Sequence, residues 1–155
     1  MSDKFMQKSK LTAEKVRTSS SGWMIKSLAK KLDNKMLAAL KPNTLNLGQF
    51  AIMMVLLEQD NISQAQIGES VSMPAYATTR NINVLEHGGY LERHENTTSR
   101  RSYRICLTVK GRSLAAILFP IVQSINSKVF APLTAAEDRQ LKYLLMKVIS
   151  EEVKS

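Results

Sequence analysis

The segment SQAQIGESVSMPAYATTRNINVLEHGG, residues 63–89, reads as two helices in close succession. Ser63 and Gln66 stand three apart, the spacing at which a serine hydroxyl and a glutamine side chain cap each other's backbone N–H groups. A short helix is therefore expected from Ser63, with Ile67 and Val71 facing inward. The second helix should start at Ser72 or Met73: Pro74 suits a first turn, which needs no N–H donor, and Gly88–Gly89 ends it. Thr78, Ile82 and Leu85 fall at i, i+4 and i+7 and predict its buried stripe. Tyr76, Thr79, Arg80 and Asn83 are left on the opposite face.

Downstream, YLERHE and SYRICL are the two strand-like runs, and Tyr103, Ile105 and Leu107 alternate with Arg104 and Cys106. Between them, Asn96 to Ser102 is wholly polar and lacks Gly or Pro, so it predicts a loop longer than the about two to five residues on which hairpins usually turn. Upstream, Asn46 and Gln49 have capping-box spacing, and Phe50, Met53, Met54 and Leu57 predict a buried stripe. Before that, Trp23, Leu28, Leu32, Met36 and Leu40 mark a helix ended by Pro42. Past the hairpin, Leu114, Ile117, Ile121, Ile125 and Val129 line a long helix that Pro120 should kink or interrupt. A last helix, capped by Thr134 and Glu137, should bury Leu141, Leu144, Leu145 and Val148.

A short helix, a tight turn, a longer helix and a hairpin make a winged helix-turn-helix, whose second helix enters the DNA major groove. The outer face of residues 76–83 suits that role, because Arg pairs with guanine, Asn with adenine, and Thr and Tyr reach bases or phosphates. The loop tip, with Asn96, Thr97, Thr98, Ser99, Arg100, Arg101 and Ser102, carries cationic and hydroxyl donors suited to phosphate and the minor groove. An ordinary solvated helix and a solvated loop are the bland alternatives. The fold expected is mainly α with a small β-hairpin wing, flanked by N- and C-terminal dimerisation helices.

Composition agrees with a polyanion partner. The 155-residue chain has a formal charge of +9, unevenly spread. Residues 1–41 hold ten basic and three acidic groups, residues 42–73 none and three, and residues 74–112 seven and three. Nucleic acid is the first candidate and an anionic membrane surface its rival. No apolar run approaches the roughly 20 residues of a bilayer span, and the polar N-terminus lacks a signal-peptide core. A cytoplasmic protein is expected, divided into a flexible basic leader (1–20), dimerisation helices (21–42 and 113–155) and a winged helix-turn-helix DNA-binding domain (43–112).

Three of the quoted runs also resemble the MarR/SlyA family of bacterial winged-helix repressors. LNLGQFAIMMVLLE is similar to the family's Leu-x-x-x-Gln-Phe-x-x-Leu helix. TTRNINVLEHGGYLERHENTTSRRSYRICLTVKGR resembles its recognition-helix and wing signature, and LTAAEDRQLKYLLMKV its C-terminal helix. The likeness spans roughly residues 23–150 and implies an obligate homodimer with intertwined first and last helices on a pseudo-palindromic double-stranded operator. It matches Thr79 and Arg80 to the recognition-helix pair, Arg93 to the arginine ending the first wing strand, and Arg101 to the wing arginine. Ser99 stands where the family has a bracing aspartate, a departure that leaves Arg101 less rigidly aimed.

The expected DNA-contacting set is Ser63 and Gln64 heading the first helix, Ser72, Pro74 and Ala75 around the turn, Tyr76, Thr79, Arg80 and Asn83 on the second helix, and Arg93, Arg100, Arg101 and Ser102 in the wing. The resemblance also implies a small-molecule effector that releases the DNA. Trp23, Phe50, Met53 and Met54 are candidate lining residues, though Met and aromatics at helical spacing are more often core. No cofactor, metal or catalytic site is expected. His87 and His94 are the only histidines and lack partners at metal-ligand spacing, and there is no phosphate-cradling Gly loop or nucleophile elbow. Glu86, Glu92 and Glu95 read as solvated charges. Cys106, the single cysteine, excludes an internal disulfide. Arg104 on its strand face would lower its pKa, yet a packed, inert thiol is the plainer reading. The leading function is a dimeric transcriptional repressor. The alternative is a winged-helix protein-interaction module with nonspecific nucleic-acid or membrane-surface binding.

Overall fold

The computed structural model describes residues 2–96 and 99–152, without the side chains of residues 2–5, 11, 96, 99–102 and 151–152. In chain order the elements are α1 (Ser2–Ser19), α2 (Ser21–Leu40), a 3₁₀ turn (Lys41–Asn43), α3 (Leu47–Glu58), β1 (Ile62–Ser63), α4 (Gln64–Ser70), α5 (Ala75–His87), β2 (Leu91–Asn96), β3 (Ser99–Leu107), α6 (Val109–Phe130) and α7 (Ala135–Glu152). The strands form one antiparallel sheet in the order β1-β3-β2.

Side-chain caps place most helix starts. Asn46 and Gln49 cap α3 reciprocally, as do Ser63 and Gln66 for α4. The Thr108 hydroxyl accepts from the Gly111 N–H at the head of α6. Before α7, Glu137 accepts from the Thr134 N–H and hydroxyl, which holds its carboxyl below its ordinary pKa. Pro74 is the residue before α5 rather than inside its first turn. At the other end of α5, Gly89 turns the chain at φ +74°, a region costly for residues with a Cβ.

The core gathers around α3. Ile52, Met53 and Leu56 are fully buried against Ile67 of α4, Ile82 and Leu85 of α5, Leu91, Ile105 and Leu107 of the sheet, and Leu114, Ala115 and Leu118 of α6. The stripe expected on α3 is thus rotated: Met53 is core, but Phe50 and Met54 are half-buried and Leu57 is exposed. Residues 50–57 are apolar on every side, so periodicity could not choose the buried face.

Other expectations are also corrected. The stretch expected to be a flexible leader is helical, α1, since residues 2–19 contain no Pro or Gly and many good helix formers. β1, two residues long, is too short to show a period; it pairs Ile62 with Ile105 and Ser63 with Arg104. α6 runs on through Pro120, whose ring lies on the exposed side. α6 is also long and apolar enough, by length and composition, to cross a bilayer, contrary to the sequence reading. It packs instead on α2 and α3 through the Leu114–Leu118 side, with Ile117 exposed. Along α7, Leu141 and Leu145 are half-buried, while Leu144 and Val148 are exposed in the single chain.

Candidate nucleic-acid interface

The geometry of α4 and α5 follows from a close crossing. A Cβ at Gly68 would lie 2.9 Å from Thr78 Oγ1 and 3.2 Å from the Met73 carbonyl oxygen, so only glycine lets the helices approach this far. The buried Thr78 hydroxyl donates to the Pro74 carbonyl at 3.0 Å, which satisfies it inside the core. Gln64 Nε2 donates to Thr79 Oγ1 at 2.5 Å, and the Thr79 hydroxyl donates to the Ala75 carbonyl at 2.8 Å. Gln64 and Thr79 therefore lock α4 to α5, while Ser63 is occupied by its cap. Ser72, at φ 51°, makes the turn between the two helices and is exposed, as are Pro74 and Ala75.

The outward face of α5 stands clear. Tyr76 is 79% exposed, and Arg80 and Asn83 are exposed beside it. Asn81, which the sequence reading passed over, steadies the helix from the side: its Oδ1 accepts from Asn46 Nδ2 at 3.1 Å and its Nδ2 donates to the Ala77 carbonyl at 2.9 Å. An asparagine inside a helix, where it is disfavoured, was the available signal.

At the far end of α5, the Arg93 guanidinium of β2 pairs with Glu86 through Nη1 and donates to Asn83 Oδ1 at 2.6 Å through Nη2. Glu86 is thus an ion-pair partner, not a solvated charge, and the side chain of Arg93 is engaged within the protein.

The wing is more fully paired than its sequence suggested. Partners step evenly from Leu91↔Leu107 to Glu95↔Tyr103, after which Asn96 is opposite Ser99. The backbone of Arg100, Arg101 and Ser102 therefore sits in an irregularity of β3 where the register shifts, not in an open loop. Their side chains, with Thr97 and Thr98, lie outside the described residues. At the root of the hairpin, Asp60 accepts from the Leu107 N–H at 2.9 Å and pairs with Arg112.

Cys106 lies beside this root. Burial raises its thiol pKa above the ordinary value, and the negative charges of Asp60 and Glu92 raise it further. The cation that lowers it is Arg112; Arg104, expected to do so, donates instead to the Asn61 carbonyl. A thiol shifted this way carries less thiolate, the reactive form.

The four effector candidates separate. Met53 is sealed in the core. Phe50 and Met54 line an apolar groove with Leu57, Glu58, Phe119 and Val122 between α3 and α6. Trp23 lies elsewhere, between α1 and α2, with the Arg17 guanidinium 5.9 Å from its ring centre. Among the described residues no three His, Cys, Asp or Glu side chains gather as a metal site.

This arrangement, two crossed helices followed by a paired wing, has counterparts. A model of the MarR family matches residues 43–102, which span α3 through most of the wing. The HTH-type transcriptional repressor Rv2887 of Mycobacterium tuberculosis is 29% identical over 130 residues, covering 84% of this chain and 94% of the relative. From α3 to the wing, the chain is similar to the MarR family. Among solved MarR-family structures, a variant of MarR from E. coli in complex with operator DNA is 25% identical with a TM-score of 0.79, covering 86% of this chain and 96% of that one. Rv2887 in complex with salicylic acid is 28% identical with a TM-score of 0.68, covering 84% and 96%.

Proposed function

We propose that this protein is a cytoplasmic, sequence-specific transcriptional regulator of double-stranded DNA, a homodimeric repressor of a pseudo-palindromic operator that a small ligand releases. The observation that carries this reading is the outward face of α5, where Tyr76, Arg80 and Asn83 are exposed on a helix fixed from three sides by Gln64, Asn46 and Arg93. A helix that rigid and that polar is pre-organised to read base edges. The E. coli complex with operator DNA supports the same placement.

Within this reading, Arg80 and Asn83 contact bases, and Tyr76 reaches a base or phosphate. Ser63, Ser72, Pro74 and Ala75 lie close to the DNA backbone. Gln64 and Thr79 position α5 rather than pair with DNA, since their polar groups are already bonded to each other. Arg100, Arg101 and Ser102 meet the flanking backbone or minor groove from the wing. The apolar residues left exposed on α2, α6 and α7 support dimerisation: Trp23, Met24, Ile25, Ile117, Phe119, Leu144 and Val148 are each between 45% and 63% exposed in the single chain. That is more apolar surface than a monomer commonly leaves open. The effector groove is that of Phe50, Met54 and Phe119, and the complex of Rv2887 with salicylic acid supports a small aromatic acid as its ligand class.

The test is selection of bound duplexes from random DNA, followed by footprinting. Two inverted half-sites about one helical turn (roughly 10 base pairs) apart are expected. Recovery of no shared sequence, with equal affinity for all duplexes, would overturn the reading.

A further inference from the structure

Building on that DNA-binding reading, we propose that Arg93 is a positioning residue that holds the Asn83 carboxamide with its NH₂ outward, so that Asn83 selects a keto base, guanine or thymine, over an amino base.

An unconstrained asparagine pairs with adenine through two bonds, its oxygen accepting from N6 and its nitrogen donating to N7. Here the oxygen is held. Arg93 Nη2 lies 2.6 Å from Asn83 Oδ1. A guanidinium has donors only, so the atom facing it must be the amide oxygen and not the nitrogen. Glu86, one turn along α5 from Asn83, grips the same guanidinium through Nη1 and prevents it from swinging away. The Arg93 side chain is only 23% exposed, so this pairing is partly shielded from solvent. Arg93 belongs to β2, which also ties the amide to the wing strand.

With its oxygen drawn toward the wing, Asn83 offers the groove a donor alone. Guanine presents O6 and N7 as acceptors, and thymine presents O4. Cytosine presents only its N4 amino donor, and adenine keeps N7 as an acceptor but places its N6 amino group where the keto bases have an oxygen, so both set donor against donor at that position. One net hydrogen bond corresponds to about a threefold to tenfold preference.

The experiment measures binding of short operator duplexes in which each base pair of one half-site is varied in turn. Asn83→Ala first locates the contacted position as the one where discrimination falls. At that position the wild type should prefer the keto bases by about threefold to tenfold. Arg93→Met should erase that preference or move it to adenine, whereas Arg93→Lys, which keeps a cationic donor, should retain it. Each result is a ratio measured on one preparation, so a partly unfolded variant does not distort it.

The proposal is overturned if the wild type prefers adenine at that position, if Asn83→Ala changes no position, or if Arg93→Met weakens all duplexes equally. In each of those cases, discrimination that persists and depends on Arg80 would leave the DNA-binding reading standing. Loss of all sequence preference in the wild type would sink both.

Discussion

Replacing Leu144 and Val148 together with alanine should loosen the dimer without unfolding the chain. The two residues lie four apart on one face of α7 and are 50% and 62% exposed in the single chain. Among the described residues, no other helix packs extensively on α7, so that face is available to a second copy. Leu→Ala removes three carbons and Val→Ala two, each worth about 0.8 kcal/mol when fully taken out of water. Scaled by their present exposure, the two changes remove about 2 kcal/mol from each protomer. A two-fold interface uses each change twice, so dimerisation should weaken by about 4 kcal/mol, near a thousandfold in Kd. Alanine favours helix, and the Thr134–Glu137 cap is untouched, so α7 should keep its helicity. Sedimentation from nanomolar to micromolar concentration reads the dimer Kd, and circular dichroism checks the helix. An intact helix with a Kd within about fivefold of wild type would refute the assignment of this face to the interface.

Three further outcomes are expected. Arg80→Ala should lose about 1–3 kcal/mol per half-site at particular bases, and equal weakening on random DNA would show that Arg80 meets only phosphate. Arg100→Ala and Arg101→Ala should weaken specific and nonspecific binding together and lower the salt slope by about 0.9 for each phosphate left unneutralised, so an unchanged slope would remove the wing from the interface. For Cys106, the raised pKa means that the unfolded thiol ionises before the folded one. Stability is therefore fully present below the ordinary value of 9.0 and falls as pH rises from there through the folded pKa. Cys106→Ser should abolish that component in urea titrations across alkaline pH, and alkylation of the native thiol near neutral pH should be slower than that of a free cysteine.

Local chemistry made much of this protein legible from its sequence. The capping pairs Asn46–Gln49, Ser63–Gln66 and Thr134–Glu137 mark helix starts through contacts only three residues apart, and all three are formed. The inward stripe of α5 was readable because Thr78, Ile82 and Leu85 alternate with polar residues that cannot be buried. Where a segment carries no such contrast, the sequence is silent and packing decides. α3 is apolar all round, so its buried face was set by the surrounding α2, α5, α6 and β3. β1 exists only because β3 offers it a partner. The roles of Glu86 and Arg93 depend on a wing strand folding back against a helix, and no spacing along the chain announces that contact. The same holds for Thr79: its outward face is visible in the sequence, but the Gln64 amide that bonds its hydroxyl comes from fifteen residues away. Contacts within a helical turn are specified by spacing, whereas the hydrogen-bond partner of an exposed polar group is chosen by whatever element the fold brings beside it.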